Sequence, residues 1–156
     1  MSNVRPRKVS LQMRRVSSLF AAIVLLAVHR APFAIGENVT PFDGLWNVTL
    51  TCPPHNEDED AKGYVHRFPA VVKAGMFRGT HATEGQPGWH LLSGAIGQDG
   101  SATLKLEGIV NNPDYSVNHA FRGKAYAYRV RAKFEPSSGI GQRVGKRKCE
   151  FQFKRQ

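Results

Sequence analysis

Hydrophobic and polar residues alternate with a period of two along most of this chain, beginning at Phe42. In the first segment Trp46, Val48 and Leu50 share one parity, and polar residues occupy the positions between them. The same alternation returns in segment 124–134 and near the C-terminus. A period of two is typical of a β-strand with one face on a core and the other in water. The pattern therefore predicts an all-β fold.

Short clusters of Gly, Pro, Asn and Asp separate the alternating segments and indicate turns. The predicted strands lie near 43–52, 63–73, 76–82, 88–96, 101–110, 124–134 and 143–154. Seven or eight strands at this spacing are typical of an antiparallel meander that closes into a small barrel or folds into a sandwich. We favour the barrel, because closure pairs the first strand with the last and leaves no edge open to aggregation.

Residues 1–34 differ from the rest of the chain and are expected to lie outside a single barrel domain, 35–156. They hold six basic and no acidic side chains, and 19–28 is an unbroken apolar run. This run is shorter than the roughly 20 residues of a membrane-spanning helix and fits the apolar region of a secretory signal. We expect a signal helix, either a cleaved signal peptide or an uncleaved anchor, and a periplasmic or secreted domain.

The chain has two cysteines, Cys52 and Cys149, near opposite ends of the predicted barrel domain. An even number of cysteines in an exported protein favours a disulfide, and two buried free thiols are the alternative. Both cysteines lie on the apolar parity of the first and last predicted strands. Closure of the barrel would make these strands neighbours, so the predicted disulfide and the predicted closure support each other.

Positive charge is concentrated near the C-terminus. The net charge is +10, but residues 35–121 carry five basic and ten acidic side chains, against eleven and two in 122–156. A hairpin of 124–134 with 143–154 would place six cations on one outer surface, the basic face: Arg129, Arg131, Lys133, Lys146, Lys148 and Lys154. This surface is either a patch for an acidic partner or a charged exterior that maintains solubility. The neighbouring aromatics face the opposite side, which argues against nucleic acid.

Several aromatic side chains are predicted to point into the barrel. Buried tyrosines need hydrogen-bond partners, so they imply a polar network, water or a ligand, unless the barrel is simply filled by side chains. Arg147 shares the inward parity of Cys149. Either a bulge at Gly145 turns it outward, or it lines the barrel mouth, where it would stack on Trp46 or bind an anion. The candidate pocket residues are Trp46, Tyr64, Trp89, Tyr126, Tyr128 and Arg147.

No motif of a hydrolase or zinc enzyme, such as HExxH or GxSxG, is present. We therefore expect a non-enzyme and assign no catalytic residue, metal site or cofactor. His66 is interpreted as a packed histidine. His81 and His90 flank the loop 82–89, and strand pairing could bring them together. The acidic run 57–60 is interpreted as a solvated loop.

The segment 42–46, Phe-Asp-Gly-Leu-Trp, resembles the Gly-x-Trp opening of lipocalins and of avidin-like barrels. The chain also resembles small secreted bacterial proteins that share this opening, a Gly-Tyr…Phe-Pro strand (63–69), a Gly-Gln-Pro-Gly loop (85–88) and a terminal Cys-x-Phe-x-Phe (149–153). This resemblance implies an avidin-like or lipocalin-like barrel, and it carries no biotin-binding pattern.

These observations favour a secreted or periplasmic, non-catalytic binding protein that holds a small, partly apolar ligand among inward aromatics. The alternative is a protein–protein module, resembling the envelope enzyme inhibitors built on avidin-like barrels. That module would contact an acidic protein surface through exposed loops and the basic face, with a filled interior. The membrane would be a partner only through an uncleaved leader.

Overall fold

The computed structural model describes residues 39–55 and 61–156, which form an all-β closed barrel. The predicted leader, 1–34, and the acidic run 57–60 lie outside the described residues. Two 3₁₀ turns, Pro113–Tyr115 and Val117–His119, complete the regular structure. The eight strands are β1 (Gly44–Cys52), β2 (Tyr64–Lys73), β3 (Met76–His81), β4 (His90–Ala95), β5 (Ser101–Ile109), β6 (Ala125–Phe134), β7 (Ser138–Arg143) and β8 (Glu150–Arg155).

The strands form an antiparallel meander in which each strand pairs with the next and β8 returns to β1. Val48 lies opposite Phe68 on β2 and Phe153 on β8, so the three inward side chains meet in the core. The predicted meander barrel is confirmed. Closure satisfies both hydrogen-bonding edges of β1 and β8, which would otherwise be exposed templates for pairing with another chain.

A disulfide joins Cys52, the last residue of β1, to Cys149, which directly precedes β8. Both cysteines are buried. The predicted bond is therefore confirmed, and it fixes the two strands whose pairing closes the barrel.

The predicted C-terminal hairpin is wrong in its pairing. β6 pairs with β7, most of which falls between the predicted strands 124–134 and 143–154, and β7 pairs with β8. The inward positions of β7 are Gly139, Gly141 and Arg143, so the strand shows no hydrophobic alternation. A Cβ atom at Gly139 would lie 3.1 Å from a ring carbon of Phe134, and one at Gly141 would lie 3.2 Å from the ring of Phe153. Glycine is used here because the aromatic core fills this space.

The segment between β7 and β8, residues 144–149, is a loop rather than part of a strand. Gly145 has a φ of +141° within this loop and does not form the predicted strand bulge. Of the two alternatives for Arg147, the position near the barrel mouth is correct. Stacking on Trp46 is not: Trp46 lies near the start of β1, whereas Arg147 donates to the carbonyl of Pro53, just beyond its end.

The two ends of the barrel differ. At the turn end, short connections join β2 to β3, β4 to β5, and β6 to β7, and aromatic rings fill the interior. The ring centroid of Phe134 lies 5.6 Å from that of Trp46 and 4.6 Å from that of Phe153. At the loop end, longer loops follow β1, β3, β5 and β7 and connect each of them to the next strand. Space for a site is therefore found at the loop end.

Hydrogen bonds to Asp43 fasten the start of β1 to the turn between β2 and β3. Its carboxylate accepts from the hydroxyl of Thr40 and from the backbone N–H groups of Ala74 and Gly75. These bonds, the one from Thr40 first among them, lower the pKa of Asp43 from 3.8 to about 2.

Removing the disulfide is expected to destabilise the fold. The cysteines are 97 residues apart, and the entropy of closing such a loop corresponds to about 4–5 kcal/mol. We expect the Cys52→Ser, Cys149→Ser double variant to lose about this much free energy of unfolding in a urea titration. Wild-type protein with its disulfide reduced should match the variant. Equal stabilities of oxidised and reduced wild type would contradict a stabilising closure bond.

Asp43 should also make the stability of the fold depend on pH. Because its pKa is lower in the folded chain, the unfolded chain binds the proton first as pH falls. The contribution of the carboxylate is complete above about pH 4 and is lost towards pH 2. Asp43→Asn should therefore show a shallower fall in the urea midpoint over this range. Glu84→Gln, which changes an exposed loop carboxylate, is the control, and a slope unchanged by Asp43→Asn would refute the assignment.

Candidate functional site

A cavity of about 460 Å³ opens at the loop end of the barrel. The starts of β2 and β6, the end of β7 and the loops 110–124 and 144–149 supply most of its wall. The lining residues are Tyr64, His66, Gly88, Ile109, Val110, Asn111, Asn112, Tyr115, Ser116, Val117, Ala120, Tyr126, Tyr128, Arg143 and Arg147. The part of the wall formed by described residues is therefore largely apolar, and it contains cationic but no acidic side chains.

Three tyrosines form the inner wall of this loop-end cavity. Tyr126 and Tyr128 share the inward face of β6 with ring centroids 6.1 Å apart, and Tyr64 begins β2. Burial raises the pKa of all three phenols, that of Tyr128 most clearly. Their hydroxyls therefore stay protonated at neutral pH and can donate hydrogen bonds. The buried hydroxyl of Tyr128 has no hydrogen-bond partner in the part of the chain that the structure describes.

Arg143 ends β7 and lies across the face of Tyr128. Its guanidinium carbon is 4.2 Å from the ring centroid, which is a favourable cation–π distance. Its Nε atom is buried and has no hydrogen-bond partner among the described residues. A partly desolvated cation beside a phenol is suited to an anionic or strongly accepting group.

Arg147 closes the side of the cavity and is only 2% exposed. Its guanidinium lies 5.1 Å from the centroid of Tyr64 and donates to three backbone carbonyls, those of Pro53, Lys62 and Tyr115. Burial lowers the pKa of this group. The hydrogen bonds join the segments after β1 and β5 to the loop before β8. Arg147 therefore lines the cavity, as one sequence alternative held, while its donors are engaged by the protein.

The structure places the other candidate pocket residues as follows. Tyr64, Tyr126 and Tyr128 are brought together in one wall. Trp46 is not in that wall: it is fully buried at the turn end, where its Nε1 donates to the carbonyl of Phe42. Trp89 directly precedes β4 and is not part of the wall either. An inward parity alone does not tell at which depth of the barrel a side chain lies.

Three histidines, His66, His81 and His90, form a histidine cluster beside the cavity. His81 and His90 are directly paired across β3 and β4, and the ring of His66 stacks on that of His81 with centroids 4.4 Å apart. Burial, together with the neighbouring imidazoles, lowers the pKa of His66 to about 4 and that of His90 to about 3. Both rings are therefore neutral at pH 7. The sequence interpretation foresaw the approach of His81 to His90 but left His66 out.

The predicted basic face is distributed over more of the surface than one hairpin. The cations of β6 and β8 project outward with β7 between the two strands, while Lys146 and Lys148 are exposed residues of the loop 144–149. The Nζ atom of Lys133 lies 2.6 Å from the backbone carbonyl oxygen of Asp99 and 3.6 Å from the carboxylate of the same residue. The residues of this surface are Arg129, Arg131, Lys133, Lys146, Lys148 and Lys154.

Comparison of the chain with protein families, curated proteins and solved structures found no match. The resemblance to avidin-like and lipocalin-like proteins therefore stays a prediction. In the parts of the chain that the structure describes, no helix is sufficiently long and apolar to cross a membrane.

Arg147 should be important for stability. Replacing it with Met leaves three carbonyls without their charged donor, and hydrogen bonds to charged groups contribute about 1.5–3 kcal/mol each. We expect Arg147→Met to lower the free energy of unfolding by about 3 kcal/mol in urea titrations. Arg129→Met, which removes an exposed arginine of β6, is the matched control. If both variants unfold at the same urea concentration, Arg147 does not hold the loop end together.

Proposed function

We propose that this protein is a non-catalytic binding protein of the periplasm or the cell exterior that holds a small, partly apolar ligand in the loop-end cavity. The observation that carries the proposal is the cavity itself: one end of the barrel is filled by aromatic rings, and the other encloses about 460 Å³ beside Tyr64, Tyr126 and Tyr128. Pockets for small molecules commonly measure about 300–1,000 Å³.

The wall indicates the chemistry of the ligand. Tyrosine rings and the apolar side chains of loop 110–124 would contact an apolar body. The unpartnered Tyr128 hydroxyl and Arg143 Nε are donors that would bind an accepting group. None of the described residues that line the cavity is acidic, which suits a carboxylate or a similar anion. We therefore expect an apolar molecule with one anionic head.

The disulfide supports an oxidising compartment, because such bonds persist mainly in exported proteins. The secretory pattern of residues 1–34 also favours export from the cytoplasm. The absence of a recognised catalytic motif favours binding over catalysis.

The alternative, a protein–protein module acting through loops and the basic face, is less well supported. That interpretation predicted a filled interior, and the cavity argues against it. The outer cations are also spread over β6, β8 and the loop 144–149, and they do not form a single hairpin surface.

A fluorescent apolar anion, 1-anilinonaphthalene-8-sulfonate, tests the proposal. We expect saturable binding to the folded protein, monitored by its fluorescence. Arg143→Met should weaken binding about tenfold, a loss of about 1.4 kcal/mol, by removing the cation at the cavity. Ala120→Trp should also weaken it, because a large side chain would occupy space at the wall.

Arg131→Met, on the outer face of β6, is the matched control and should bind the probe as wild type does. Circular dichroism in the aromatic region should show that each variant is folded. If the probe fails to bind wild type, or binds equally to both cavity variants, the proposed ligand site is wrong.

A further inference from the structure

The histidine cluster gathers three imidazoles from three consecutive strands at the loop end. His66 is on β2, His81 ends β3 and His90 begins β4. Their rings are parallel within 10°, with centroids 4.4–5.3 Å apart. Among the described residues, they form a group whose potential donor nitrogens all lie within 4.8 Å of one another.

The hydrogen bonds of the cluster leave nitrogen lone pairs free. Nδ1 of His81 is 3.3 Å from the carbonyl oxygen of Gly88, and because a carbonyl only accepts, this nitrogen carries the proton. The lone pair of His81 is therefore on Nε2. A histidine that donates one ring N–H to a carbonyl while its other nitrogen binds a metal is a common arrangement.

The other two rings have buried nitrogens without partners. Nδ1 of His66 and Nε2 of His90 make no hydrogen bond within residues 39–55 and 61–156, and His90 is only 1% exposed. If the cluster served packing alone, apolar rings would fill the same space without leaving polar atoms unpaired. Phe68, whose centroid lies 4.9 Å from that of His90, shows that a phenyl ring is accommodated in this part of the barrel.

We propose that His66, His81 and His90 bind one divalent transition-metal ion of the Zn²⁺ class. Neutral imidazoles are ligands for Zn²⁺ and its neighbours, whereas Mg²⁺ and Ca²⁺ prefer carboxylate and carbonyl oxygens. The three donors come from backbone positions held in register by the barrel.

Metal binding requires a small movement of the rings. Nitrogens at 2.0–2.1 Å from a tetrahedral ion are about 3.3 Å apart, and the present donors lie within 4.8 Å. Rotation of the side chains can close this difference, because His66 and His81 are only partly buried.

Three protein ligands leave one position of a tetrahedral ion for water or another molecule. His66 also lines the loop-end cavity, so an anion bound there lies next to the cluster. The metal requires no ligand in the cavity, so the two sites are tested separately.

Zn²⁺ titration of untagged, chelator-treated protein in a calorimeter tests the metal site. We expect one ion per chain, and Co²⁺ in its place should give the visible absorption bands of a low-symmetry site. His81→Asn should weaken Zn²⁺ binding about tenfold or more, and His66→Asn and His90→Asn should do the same. His119→Asn, which removes an exposed histidine of the second 3₁₀ turn, is the matched control and should leave the affinity unchanged.

Wild type provides a second readout that does not depend on the folding of a variant: Zn²⁺ should raise its thermal midpoint, and chelator should reverse the rise. The absence of stoichiometric binding to wild type would overturn the proposal, as would an affinity that all three variants retain. Arg143→Met should still bind Zn²⁺. Loss of probe binding with Zn²⁺ binding intact would therefore count against the cavity ligand alone.

Discussion

Closure of the sheet is the constraint on which the rest of the structure depends. Because β8 returns to β1, every strand has two neighbours, and the inward side chains of all eight strands share one enclosed volume. Large aromatic rings fill that volume at the turn end, so the remaining space and most of the long connections are found at the loop end. The disulfide between Cys52 and Cys149 holds the closing pair of strands at this same end.

The loop end concentrates polar groups in places where burial is costly. Arg147 is stabilised by its hydrogen bonds to three carbonyls, and these bonds connect the loops after β1 and β5 to the loop before β8. Arg143, Tyr128 and the histidine cluster differ, because each has a buried polar atom that no other described residue pairs. Buried polar groups in folded proteins are normally satisfied. Several exceptions at one end of the barrel support the proposed ligand and metal sites.

Much of the barrel could be predicted from the sequence, because a period of two reveals both the strand and its inward face. The disulfide could be predicted for the same reason. β7 could not, since its inward positions are two glycines, Gly139 and Gly141, and the cation Arg143, which give no hydrophobic alternation. The hydrogen bonds of Arg147 could not be predicted either, because its partners are backbone carbonyls distant in sequence. The histidine cluster depends on the register of three strands, so no local sequence spacing predicts it. The inward parity of His66 was the one feature of the sequence that could have indicated its place in the cluster.

Mass spectrometry under native conditions, on protein purified gently from the cells that make it, tests the central claim most directly. The account predicts that the folded chain carries an additional small molecule, that this molecule contains an anionic group and an apolar body, and that unfolding releases it. A spectrum showing only the mass of the chain itself, from protein whose disulfide and fold are intact, would contradict a barrel built to hold a ligand.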